Sequence, residues 1–279
     1  MPATPQQTRR HYLMCEPTFY TVSYEINPWM DSTRYTDAGL AVQQWTVLKD
    51  TFESLGHTVE TIDPIPGLPD MVYAANGATI VDGLVYSAKF RYPERQPEGP
   101  AYEKWFADHG YVTHTAEQVN EGEGDILGVG DVLLAGTGFR TDRASHDELA
   151  RVTGREVVTL ELVDAHYYHL DTALAVLDST AGREQIAYYP PAFSDASRAE
   201  LERRYPDAVI ASESDAACLG LNAVSDGLNV VVAPGATALA AQLTDRGFRP
   251  IPVDTSELLK GGGGAKCCTL EIRRSDTGR

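Results

Sequence analysis

Apolar positions along the chain fall in short runs that come in pairs, and each pair is followed by a longer stretch with helical spacing. ATIVDGLVYSAKF (78–90) predicts two strands joined by a tight turn at Asp82-Gly83. DILGVGDVLLAGTGF (125–139) repeats the pattern around Gly130-Asp131, and CLGLNAVSDGLNVVVAPG (218–235) repeats it at Asp226-Gly227. LDTALAVLDSTAGREQIAYYPP (170–191) has a longer turn. Helical segments follow the four units at PAYEKWFADHG, DRASHDELARVTG, DASRAELERRYPD and TALAAQLTDRGF. Further strand-like runs come after most of these, as in VVTLEL, AVIAS and RPIPVD. KCCTLEIRR supplies one last strand, for which the early HYLMCEP is a hairpin partner.

Asn76, Glu121, His169, Asn222 and Cys267 stand just before or within these hairpins and recur at roughly 45–53-residue intervals. That period suggests stacked or radial units, none able to bury its apolar face alone. An ordinary mixed sheet with recurrent hairpins is the alternative. In a radial arrangement the starts of equivalent strands converge, so residues distant in sequence share one central cavity. No linker, charge block or low-complexity tract interrupts the chain, and residues 1–279 read as a single domain.

Composition narrows the function. The apolar share of 43% is ample for a core, and 40 acidic against 23 basic side chains give a charge of −17. Such a surface repels phosphate backbones and anionic lipid, so nucleic-acid and membrane partners are not expected. No run approaches the roughly 18 apolar residues of a membrane span. MPATPQQTRR lacks a signal core, which points to the cytoplasm. Four cysteines without a C-x-x-C pair fit a reducing compartment.

Three places could carry chemistry. In GGGGAKCCTLEI (261–272) a glycine run precedes Cys267, expected to open a strand beside the cation Lys266, a setting that suits a thiolate nucleophile. A plain loop leading into a buried strand fits the same residues. On a strand, Cys267 and Cys268 would point to opposite sides. His169 lies in YYHLDTALAVL; on a strand it would share a face with Asp171, which could orient or charge the imidazole for acid–base work. A satisfied core histidine is the plainer reading. His166 and His169 have no third ligand at telling spacing, so no metal and no cofactor are expected. NEGEGDIL places Glu121, Glu123 and Asp125 at the mouth of a hairpin, as a carboxylate clamp for a planar cation or simply a solvated acidic turn.

Together these motifs resemble the guanidino-group modifying enzymes: arginine deiminase, dimethylarginine dimethylaminohydrolase and arginine amidinotransferase. The resemblance runs from YEINPWMD (24–31) to GGGGAKCCTLEI, with HLDT (169–172) and the glycine run before a cysteine as its specific parts. It implies an α/β fold, the five-bladed α/β propeller (pentein) with pseudo-fivefold repeats. Cys267 matches the family nucleophile, His169 the general acid/base and Glu121 the catalytic carboxylate. The long Glu-Gly-Glu-Gly-Asp leaves the choice between Glu121 and Glu123 open. Arg95 and Arg140 resemble the arginines that bind the substrate carboxylate.

One departure is informative. Deiminases and dimethylarginine hydrolases have an aspartate where YAANGAT places Asn76, and an asparagine there is similar to the arginine dihydrolases. Asn27 in YEINPWM also resembles a substrate-contacting asparagine of that branch. The resemblance therefore implies a hydrolase cleaving free arginine to ornithine, ammonia and CO2, with Asp171 and Glu123 also near the substrate. Its alternatives are a dimethylarginine hydrolase, a deiminase giving citrulline, an amidinotransferase or a silent arginine sensor. The expected partner is a small guanidino molecule, and assembly into a homo-oligomer is left open.

Overall fold

The computed structural model describes residues 4–273. Five three-stranded sheets are built on one plan: a hairpin, a helix, and a return strand parallel to the hairpin's second strand. In chain order the first sheet begins with β1 (His11–Cys15), α1 (Ala38–Ser54) and β2 (Thr58–Ile62). β3 (Ala78–Val81), β4 (Leu84–Ser87), α2 (Glu98–Asp108) and β5 (Val112–His114) form the second. β6 (Ile126–Val129), β7 (Val132–Thr137), α3 (Arg143–Thr153) and β8 (Glu156–Glu161) form the third. A one-turn α4 (Leu170–Ala173) opens the fourth, followed by β9 (Leu174–Asp178), β10 (Gln185–Tyr188), α5 (Asp195–Arg204) and β11 (Val209–Ile210). The fifth has α6 (Glu213–Ala217), β12 (Val224–Ser225), β13 (Asn229–Val232), α7 (Thr237–Asp245) and β14 (Arg249–Pro252). After α8 (Ser256–Leu259), β15 (Leu270–Glu271) pairs antiparallel with β1 through Tyr12↔Glu271 and Leu13↔Leu270, completing the first sheet and closing the ring.

The hairpins arise where the sequence placed them. Asp82 and Gly83 both adopt positive φ (50° and 84°), the turn geometry that matches the twist of β3 and β4. Helix α1 was not anticipated, although its pattern is regular: Ala41, Gln44, Trp45, Leu48 and Phe52 form one buried stripe. Asp37 caps it by accepting from Leu40 N, and the stripe packs on Tyr12 and Met14 of β1. Side chains between neighbouring sheets supply the apolar core, as where β9, β10 and β13 share Ala175, Leu177, Ala187, Val230 and Val232.

Two local expectations are corrected. Residues 170–173 form a helical turn rather than a strand, so His169 and Asp171 do not share a strand face. Cys267 lies in a turn ahead of the short β15, so Cys267 and Cys268 are not alternating strand positions; both are buried. No helix among the described residues is long and apolar enough to cross a membrane.

Candidate active site

The five recurring residues all sit a few positions ahead of the first strand of their sheets: Asn76 before β3, Glu121 before β6, His169 before β9, Asn222 before β12 and Cys267 before β15. Convergence of these strand starts produces one buried polar cluster. Ala75 N donates to Cys267 O (3.0 Å), joining the Asn76 segment to the cysteine turn.

Cys267 is 1% exposed. Its thiol donates to Asp171 Oδ2 (3.3 Å), while Asn222 Nδ2 donates to the sulfur (3.1 Å). Burial, then the Asp171 charge, pushes the thiol well above its ordinary range. Lys266 does not offset this; its ammonium is bound by Glu123 Oε2 (2.8 Å) and Thr269 O (3.0 Å). Burial likewise pushes Asp171 up to about 6 against the pull of His169 and Lys266. The resting site therefore holds a protonated sulfur.

His169 Nε2 lies 2.7 Å from Glu121 Oε2 and 4.0 Å from Asp125 Oδ2. Burial acts to raise the Glu121 pKa, but Arg140 and the bond to His169 outweigh it and hold the group well below the usual carboxylate range. An ionised Glu121 only accepts, which puts a proton on Nε2 and leaves Nδ1 for chemistry. Nδ1 is buried without a protein partner. Gly124 makes the room beside it: a Cβ there would lie 2.2 Å from Asn76 Nδ2 and 3.1 Å from His169 Nδ1.

Two buried arginines flank this pair. Arg140 Nη1 donates to Glu121 Oε2 (2.8 Å) and Nη2 to Ile26 O (2.9 Å), with the guanidinium over the rings of Tyr92 and Tyr168. Arg95 binds both carboxylate oxygens of Glu98, Asp70 O and Asn76 Oδ1, the last at 2.8 Å. That last bond fixes the Asn76 amide with its oxygen toward Arg95 and its NH2 toward Glu121 O (3.4 Å).

Asn27 stands at the cover rather than in the cluster. Its oxygen accepts from Trp29 N and Met30 N, and its NH2 donates to Gly261 O (3.1 Å). Tyr168 Oη holds the neighbouring Gly262 O at 2.9 Å. Gly262 has φ 93°, and a Cβ there would come within 2.8 Å of both Asn27 and Tyr168, so the glycine run is what lets this cover close. Glu123 faces away, bound to Lys266, Arg273 and Glu271 N; between the two carboxylates it is Glu121 that meets the imidazole. Asp171 pairs with the thiol instead of orienting His169, because the turn at 170–173 rotates it away.

Sequence reasoning missed Asp70 altogether, and it named Asn222 and Asp125 without their roles. Asn222 served only as a repeat marker. Asp70 is buried with Oδ1 unpartnered, beside Arg95 and bound by Tyr24 Oη. Asp125 accepts from Leu170 N and Thr141 N and so places the histidine segment. Among the described residues no group of three or more His, Cys, Asp or Glu is placed to hold a metal ion.

No protein-family model matches the chain. Curated relatives do. A dimethylarginine dimethylaminohydrolase of Mycobacterium tuberculosis is 54% identical over 271 residues, covering 97% of this chain and 88% of the relative. The chain belongs to the guanidino-group modifying family. A bifunctional arginine dihydrolase/ornithine cyclodeaminase of Synechocystis is 36% identical over 93% of this chain but only 37% of its own length. Among solved structures, the product-bound N-terminal domain of a cyanobacterial arginine dihydrolase superposes with a TM-score of 0.91 at 35% identity, covering 96% of this chain and 98% of that one. The pentein propeller expected from the sequence is thus the fold of this family member.

Proposed function

We propose that the chain is an arginine dihydrolase, converting free arginine and two waters to ornithine, two ammonia and CO2 through S-linked intermediates on Cys267. The observation that carries this reading is the fixed Asn76 amide. A carboxylate at this position would grip a guanidinium and release a neutral ureido product. An amide whose oxygen is held by Arg95 offers an N–H donor, which suits the ureido oxygen and retains that intermediate for a second attack.

The sulfur lone pair forms the S–C bond to the guanidino carbon, the thiol proton passes to Asp171 Oδ2, and the C=N pair moves onto nitrogen. Protonated His169 gives its proton to one NH2, which leaves as ammonia when its C–N bond breaks. Neutral His169 then takes a proton from the water that attacks the thiouronium. The S–C bond breaks, Asp171 returns its proton to the sulfur, and the ureido species remains beside Asn76. A second attack expels the second ammonia; water discharges a carbamate, which loses CO2.

Arg140, with most of its five donors uncommitted, takes the substrate carboxylate together with the remaining N–H of Arg95. Asp70 Oδ1 supplies an acceptor for the α-ammonium. A peptide-linked arginine has neither charged end, so free arginine is the substrate this set selects. Counting ammonia per arginine tests the reading: two with ornithine supports it, and one with citrulline refutes it. Asn76→Asp is expected to shift products toward citrulline. Dimethylarginine hydrolysis is the second reading, favoured by the name of the 54%-identical relative; release of dimethylamine from dimethylarginine, with arginine left intact, would establish it.

A further inference from the structure

Asn222 has no assigned chemistry, yet both ends of its side-chain amide bond to Cys267. Its Oδ1 accepts from Gly264 N (2.9 Å) and Cys267 N (3.0 Å). Two backbone donors on one side of the amide leave no choice of orientation: the oxygen must face them, and the NH2 must face the other way. There it donates to Asp171 O (3.1 Å) and to Cys267 Sγ (3.1 Å). The residue is 1% exposed, so these bonds are not shared with bulk water.

We propose that Asn222 is a catalytic residue for the Cys267 chemistry: its Nδ2–H holds the sulfur when it carries negative charge, and its Oδ1 locks the glycine loop and the nucleophile's backbone together. This rests on the hydrolytic role given to Cys267 above. The thiol sits between opposed partners. Asp171 Oδ2 accepts its proton, and Asn222 Nδ2 remains as donor once the proton has gone. In each round of attack thiolate appears twice, as the S–C bond forms and again as it breaks with its electron pair returning to sulfur. On both occasions the same N–H faces the charge, without titrating itself.

The other groups around the sulfur do not supply this. Asp171 and Cys268 add repulsion to a thiolate, and the Tyr168 hydroxyl is donated to Gly262 O. His169 and Lys266 act on Asp171, and their own hydrogen bonds go to Glu121 and Glu123. Among the described residues, Asn222 Nδ2 is the side-chain donor recorded on the sulfur. A hydrogen bond to a charged group in a buried site is strong enough to move a thiol equilibrium about tenfold or more.

Asn222→Asp separates the donor from the clasp, because it keeps the acceptor oxygen for Gly264 N and Cys267 N and replaces only the NH2. Alkylation of Cys267 by iodoacetamide, followed site by site with mass spectrometry across pH, reads the thiol without substrate. In Asn222→Asp the alkylation profile is expected to move at least one pH unit upward, with kcat reduced about tenfold or more, KM little changed and Tm lowered by the added buried carboxylate. Asn222→Ala is expected to lose the clasp as well, lowering both Tm and reactivity. A wild-type alkylation profile and kcat in a folded Asn222→Asp overturn the proposal. Should Cys267→Ser retain activity, the hydrolytic assignment fails instead, and the alkylation profile still reports on Asn222.

Discussion

Replacing Asp171 with asparagine is expected to make the protein more stable above neutral pH and inactive. The carboxylate is fully buried, one oxygen accepts from the Cys267 thiol, and the other has no protein partner. Burial pushes its pKa up to about 6, against roughly 3.9 in an unfolded chain. The folded state thus binds the proton more tightly than the unfolded state does. Stability from this group is complete below about pH 4, declines as pH rises toward about 6, and stays lower beyond. Two pH units of difference correspond to about 3 kcal/mol at pH 8. Asparagine has the same shape, accepts the same thiol hydrogen and carries no charge, so it escapes this penalty. Urea melts at pH 4.5 and 8 measure the effect: Asp171→Asn should exceed wild type by about 2–3 kcal/mol at pH 8 and approach it at pH 4.5. Turnover should fall at least a hundredfold, because the thiol loses its proton acceptor. A variant less stable than wild type at pH 8, or a difference that ignores pH, would refute the electrostatic reading.

Cys267→Ser should abolish turnover, and acid-quenched wild-type enzyme should carry a substrate-derived mass on the peptide containing Cys267. Glu121→Gln strips Arg140 of its buried partner and is expected to destabilise the fold by about 3 kcal/mol near pH 7 in chemical melts. Because the Glu121 pKa is depressed on folding, its stabilisation is present above the unfolded value and is lost as pH falls, so Glu121→Gln and wild type should converge in acid. Gly124→Ala places a methyl against Asn76 and His169 and should lower kcat with a loss of about 1–3 kcal/mol in stability, read by kinetics and thermal melts.

Much of the fold was legible because local chemistry and global architecture agree. Asp82-Gly83 imposes a hairpin whatever surrounds it, and the repeated hairpin-helix-strand order leaves few topologies. α1 was overlooked although Trp45, Leu48 and Phe52 carry a plain helical stripe, since no hairpin precedes it in sequence; its hairpin partner strand comes from the other end of the chain. The site was legible where side chains stand at repeat positions. It was not legible where tertiary contacts overrule the local pattern. Leu170 N is drawn to Asp125 Oδ1, the chain turns into α4, and Asp171 swings to the thiol. No spacing rule gives the Arg95–Asn76 bond or sends Glu123 to Lys266 and Arg273.

The charges around the sulfur explain why the enzyme can rest with an unreactive thiol. Asp171, Asp125, Asp70 and Glu98 are all pushed up by burial, so the cavity holds negative charge at the limit of what it tolerates. Arg95 and Arg140 lie on the flank and already face carboxylates, which leaves the thiol end without a cation of its own. A guanidinium entering beside Cys267 supplies that charge. On the proposed mechanism it would relieve Asp171, lower the energy of a thiolate held by Asn222, and itself be the group attacked. On the proposed mechanism the trigger for deprotonation and the reacting carbon arrive in one molecule, so Cys267 would become nucleophilic only where there is substrate to consume. Asn27 and Tyr168 bond the glycine run beside the buried Cys267, which keeps bulk water from screening this exchange.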